Sequence, residues 1–167
     1  MTILALRSRL EEWWVHFISY DMLQFHPPLS GMPLAFVVLL VVVECLKKLR
    51  RLAPLLGAVQ VVCVLSIVLS TALAFLSGYQ ASSELGELSD PLALELGTHH
   101  ALGRLLLCNS ILLATFLWVA RVAVRGAAVF KALYLIFLVS QIVLTLWVGG
   151  LGGDLVFEHG LGVQAKP

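Results

Sequence analysis

AAVFKALYLIFLVSQIVLTLWVGG, residues 127–150, decides the architecture. Beyond Lys131 it carries no charge, and a helix needs roughly 20 such apolar residues to cross a hydrocarbon core of about 30 Å. Upstream runs of the same kind lie at about Leu29–Leu46, Pro54–Tyr79 and Thr98–Ala120. Four spanning helices are therefore expected, the fourth over about Ala127–Gly149. The composition agrees: 60% of the 167 residues are hydrophobic and 13% charged, where soluble domains carry about 25% charge. The expected class is an all-α membrane protein, a four-transmembrane-helix bundle with no room for a separate soluble domain. Cys45, Cys63 and Cys108 are odd in number, widely spaced and inside apolar runs. They read as buried small side chains and not as a zinc or c-type haem motif.

Working outward, residues 1–25 place Ile3, Leu6, Leu10, Trp13 and Phe17 at helical spacing opposite Arg7, Arg9, Glu11, Glu12 and His16. Too polar to span and carrying two tryptophans, this segment reads as an amphipathic helix lying in the membrane interface. Phe25-His26-Pro27-Pro28 is expected to end it, because proline biases its predecessor away from the α region. Pro33 is placed in the opening turn of the first span. The bundle proper then occupies 26–149, with a loop over Gln80–Gly97, Thr98 as N-cap of the third span, and Glu44 paired with Lys48 at i,i+4. Residues 150–167, rich in glycine, read as a hook folding back onto the bundle, since glycine is kept where backbone bends tightly or approaches something closely.

Loop charges set the orientation. Lys47, Lys48, Arg50 and Arg51 share one side with Arg121, Arg125 and Lys131, while nine of the ten acids, all but Glu44, lie on the other. The basic side is expected to be cytoplasmic, which places both termini outside (N-out, C-out). The expected location is a bacterial inner membrane, multi-pass, with lipid as the first partner and no nucleic-acid partner.

This topology gathers the histidines. His26 precedes span one, His99 and His100 open span three, and His159 follows span four, so all four are expected at the outer surface. Neutral imidazole is the commonest metal ligand, and bundles bring ligands from different helices to one core position. Two of these histidines could ligate a haem iron axially; three could hold copper, zinc or non-haem iron. Arg104, about a turn below His99 and His100, is placed to face a haem propionate, Asp154 or Glu158. Against this stand plainer readings. A histidine before a proline can simply satisfy backbone groups, and His99 and His100, about 100° apart on a helix, are not expected both to point inwards. Ser66, Gln60, Asn109, Ser110 and Gln141 could line a quinone or proton route, but polar residues within spans more often make interhelical hydrogen bonds.

Three marks together resemble a known family: Phe25-His26-Pro27 before span one, His99-His100-Ala101-Leu102-Gly103 opening span three, and Gly152-Gly153-Asp154-Leu155-Val156-Phe157-Glu158-His159-Gly160-Leu161-Gly162-Val163 at the end. They look like the bacterial four-helix membrane family catalogued as domain-of-unknown-function family 2231, over about residues 25 to 163. The third-helix pattern maps onto His99 better than onto His100. The resemblance implies electron transfer by association, because related proteins are found joined to Rieske-type domains or near cytochromes. It supplies no Rieske ligands in this chain.

The function expected is a cytochrome-like electron-transfer subunit holding haem b near the outer face. His99 with His159 or His26 would be the axial ligands, His100 beside them, and Arg104 on a propionate. Redox subunits of the membrane or periplasm, and quinone, are the partners this implies. The alternatives are a non-catalytic accessory subunit of a respiratory-type complex and a periplasm-facing copper or zinc protein, with metal on His26, His99 and His159. A stand-alone enzyme is less expected than either subunit role.

Overall fold

The computed structural model describes residues 22–49, 51–83 and 85–161, with side chains from residue 26 onward. Four helices follow one another: α1 (Met22–Leu46), α2 (Ala53–Ser83), α3 (Asp90–Val122) and α4 (Ala127–Phe157). Each contains a stretch long and apolar enough to cross a membrane. Their outward faces are as greasy as their inward ones: Leu55, Leu65, Leu69, Val139 and Trp147 are all more than half exposed. A water-soluble helix would be polar on that side. The protein is a multi-pass membrane bundle, and lipid covers these faces.

Short connections make sequential helices antiparallel. α1 packs along α2 and α3 along α4, so the bundle is two helical hairpins. They join through a narrower α2–α3 contact and a still narrower α1–α4 contact. One end carries the basic residues Lys47, Lys48, Arg51, Arg121 and Arg125, and the opposite end carries the histidines.

The interior is layered. An apolar plug of Val37, Leu40, Val64, Ile67, Leu113 and Leu138 fills the middle of the basic half. At the basic end, Glu44 Oε1 accepts from Gln60 Nε2 and from the Tyr134 hydroxyl, the latter at 2.8 Å. Gln60 Oε1 in turn accepts from Lys47 Nζ at 3.0 Å and Arg121 at 2.8 Å. Every helix supplies a member of this clasp. Glu44 pairs with Lys47, 3.6 Å away, and not with Lys48, because Lys47 is the lysine turned towards Gln60. On the other side of the plug, Asn109 Nδ2 donates to Gln141 Oε1 at 2.7 Å, and Gln141 Nε2 donates to Ser110 Oγ at 3.0 Å. These are the interhelical hydrogen bonds expected of polar residues in spans. Two of the three cysteines, Cys45 and Cys108, face outwards, and only Cys63 is buried.

Helix ends differ from the hydropathy reading. α2 continues to Ser83 and α3 begins at Asp90, so the Gln80–Gly97 loop shrinks to the residues between them. Ser89 takes the N-cap position ahead of Pro91, and Thr98, far inside α3, bonds back to the Leu94 carbonyl. Hydropathy registers only the part of a helix within hydrocarbon, whereas these helices of 31–33 residues reach about 45–50 Å. Pro27, Pro28 and Pro33 lie inside α1 and do not terminate it. Lipid-embedded helices tolerate proline when other groups re-satisfy the backbone, and here Ser30 Oγ donates to the Pro27 carbonyl at 2.9 Å. The hook is likewise helical as far as Phe157: Gly149, Gly150, Gly152 and Gly153 belong to α4. Of these only Gly152 is closely packed, against His99, whereas Gly149 and Gly150 face open space, and the chain turns at Gly160, where φ is 66°. The interfacial helix expected over 1–25 lies outside the described residues except for 22–25, which belong to α1; residues 162–167 of the hook lie outside them too.

Candidate functional site

The histidine end is assembled from one imidazole of each hairpin. His26 on α1 stands against α2, where the ring is seated on Gly78 so closely that a Cβ there would lie 2.7 Å from His26 Cε1. His99 on α3 stands against α4 in the same manner, and a Cβ at Gly152 would lie 3.0 Å from His99 Cε1. Glycine at these two positions makes room for the rings. The backbones of α1 and α3 do not touch, yet the two imidazoles meet across the bundle with ring centres 6.4 Å apart and planes at 84°.

Ser77 holds the His26 ring at Nδ1. The Ser77 hydroxyl donates its single proton to the Ala74 carbonyl at 3.0 Å. With the proton so directed, the hydroxyl accepts from His26 Nδ1–H, 2.9 Å away. The neutral ring then keeps its lone pair on Nε2, the arrangement that outer-shell partners impose on ligating histidines. His99 Nδ1 is buried and has no hydrogen-bond partner. An orphaned buried polar atom costs about 1–3 kcal/mol, so it marks a place where packing alone does not explain the side chain.

Around the imidazoles lie two cavities. The larger, of about 300 Å³, runs from Val156 and Phe157 at the outer end past the imidazoles towards the middle of the bundle, where Phe75, Leu106 and Val148 wall it and Thr71 and Thr145 floor it. The smaller, of about 60 Å³, lies on the far side, towards Leu85, Leu96 and Leu161. His26, His99, His100, Gly78 and Gly152 border both, so the imidazoles form a partition between them. Thr145 is 5% exposed and its hydroxyl has no partner.

Of the residues singled out from sequence, the structure gathers three. His26 and His99 face each other. His100 lines the cavities as well, with its ring 6.3 Å from His99 and 6.4 Å from Tyr79. The expectation that only one of the adjacent histidines turns inwards does not hold, because the space lies between α2 and α4 and both sides of α3 reach it. His159 is exposed and away from these cavities; its Nε2 lies 3.1 Å from Glu95 Oε2 on α3. Arg104 is exposed on α3 and borders neither cavity. Among the described residues, no three His, Cys, Asp or Glu side chains form a set able to hold a metal ion. Sequence reasoning missed Ser77 and Thr145. Nothing in the apolar sequence around either residue distinguishes it. Comparisons with protein families, with curated proteins and with solved structures give no match for this chain.

Proposed function

We propose that the protein is a membrane electron-transfer subunit that holds haem b between His26 and His99, at the periplasmic face of a bacterial inner membrane. The observation that carries this reading is the pair of perpendicular imidazoles offered by diagonally opposed helices, 6.4 Å between centres. A metal–imidazole bond is about 2 Å, so two rings on opposite sides of one metal have centres roughly 6 Å apart. The donor set fits: with Nδ1–H on Ser77, His26 Nε2 is free to ligate, and the outer part of the larger cavity, beside Val156 and Phe157, together with the smaller cavity supplies space in which a flat group between the rings can extend. Bound haem would supply one-electron chemistry. The chain's own residues would orient it through Ser77, Gly78 and Gly152, with Val156 and Phe157 excluding water beside it. The orientation rests on the basic end being cytoplasmic. Membership of the four-helix family that the chain resembles belongs to the same proposal and rests on the same three motifs.

The choice of His26 as the partner of His99 follows from His159 being occupied by Glu95 at the rim. An absorption spectrum after haem-replete expression tests the reading. A Soret band is expected in the parent and in His159→Ala, and its loss in His26→Ala and His99→Ala. Protein without a Soret band refutes it. A transition metal at one per chain without porphyrin would turn the reading to copper or zinc. Histidine variants that alter only assembly with a larger complex would turn it to an accessory subunit.

A further inference from the structure

The floor of the larger cavity poses a problem that the imidazole pair does not solve. Thr145 is 95% or so buried, being 5% exposed, borders the cavity, and leaves its hydroxyl unbonded, although its neighbours Ser110, Gln141 and Asn109 are joined in one network. A threonine on a helix can usually satisfy itself on the carbonyl four residues back, as Thr98 and Thr115 do here. Thr145 does not, and valine would fill its place without the cost of an unbonded hydroxyl. It lies seven residues, about 10 Å, from Gly152 along α4, and so well below the imidazole layer.

The cavity also has a way in from the bilayer. α1 and α4 share the fewest contacts of the four neighbouring pairs. Ser30 on α1 and Gly149 on α4 border the cavity and are both exposed, so its mouth lies between these helices. A Cβ at Gly149 would meet nothing within 4 Å. Anything entering there comes from lipid. An apolar cavity of about 150 Å³ accommodates benzene, so the roughly 300 Å³ here has room for a substituted ring and not for an acyl chain bundle.

We infer that the lower cavity binds the headgroup of a lipid-soluble quinone, with one ring oxygen hydrogen-bonded to the Thr145 hydroxyl and the tail leaving between Ser30 and Gly149. The apolar walls take the ring, Phe75 offers it an aromatic neighbour, and the imidazole layer forms the roof. This site lies beneath the imidazole pair and does not rest on which group that pair holds.

The test uses full-length protein in detergent and a benzoquinone bearing a medium-length alkyl tail, followed by calorimetric titration against empty micelles. Saturable binding at one per chain is expected. Thr145→Val should weaken it roughly tenfold, the loss of about one hydrogen bond in an apolar site, while leaving thermal stability equal or higher. Gly149→Leu, whose side chain enters open space, should slow or abolish binding with the fold intact; Gly149→Ala serves if the larger residue disturbs folding. Uptake that matches empty micelles overturns the inference, and so does unchanged affinity in both Thr145→Val and the Gly149 variant. A missing Soret band leaves it standing, and an intact Soret band without quinone binding overturns it alone.

Discussion

Replacing Gly78 by alanine should unseat His26. The added Cβ would stand 2.7 Å from Cε1, 3.1 Å from Nε2 and 3.3 Å from Nδ1 of the ring. Ordinary van der Waals contact begins near 3.4 Å, so the ring has to retreat by about 0.7 Å. Ser77 sits on the same helix as the intruding methyl, so a retreat takes Nδ1 away from its Oγ. The present 2.9 Å bond would stretch beyond hydrogen-bonding range. Overpacking costs about 1–3 kcal/mol, and the broken interhelical bond adds about 0.6 kcal/mol. The gain from alanine over glycine in a helix returns about 1 kcal/mol, leaving a net loss of about 0.6–2.6 kcal/mol. Gly152→Ala, at 3.0 Å from a single ring atom, should come out near balance, and Gly103→Ala, at 3.6 Å from Phe75, should be neutral or stabilising. Reversible unfolding in detergent gives the ranking, and nitrogen chemical shifts of labelled histidine report the His26 tautomer. If Gly78→Ala is as stable as Gly103→Ala with the His26 signals unmoved, the seating described for this ring is wrong.

Two further outcomes follow from the interior layers. Tyr134→Phe should cost about 1 kcal/mol by removing the hydroxyl's bond to Glu44, and Glu44→Leu about 2 kcal/mol, since it strips the acceptor shared by Gln60, Tyr134 and Lys47. The carboxylate is 19% and Lys47 29% exposed, so solvent screening keeps the second figure below that of a fully buried pair. An Glu44→Leu variant that unfolds at the parent's denaturant midpoint would remove the clasp from the stability argument. Gln141→Leu should cost about 1 kcal/mol, within the range of interhelical hydrogen bonds in membranes, because Asn109 keeps the Phe137 carbonyl as a second acceptor at 3.0 Å. A loss several times larger in the same unfolding assay would mean that the network acts as one cooperative unit.

The spans were legible because lipid demands long uninterrupted apolar helices, and the convergence of His26 with His99 and His100 was legible because up-down connectivity brings alternate helix ends together. Glu44 was noticed as the lone acid on the basic side, but its partner depends on which face of α1 meets Gln60, and hydropathy has no face when both sides of a helix are apolar. The glycines from Gly149 to Gly153 misled for a related reason. In water such a run favours irregular backbone; in a membrane the backbone must bond to itself, and the same glycines continue the helix. Proline at 27, 28 and 33 was read by the rules of soluble helices and yielded to the same requirement. His159 was drawn to the site by a hook that is, in fact, the straight end of α4. Thr145 could not be found from sequence at all, because an unsatisfied hydroxyl is a property of its surroundings.

The seating of each imidazole on a glycine of its own hairpin has a consequence for engineering. In the first hairpin the glycine follows its histidine by fifty-two residues, in the second by fifty-three. Each hairpin thus brings a ring and the notch that holds it at nearly the same spacing. Cutting the chain in the short α2–α3 connection would therefore leave neither half owning the imidazole pair, and both would be required to close it.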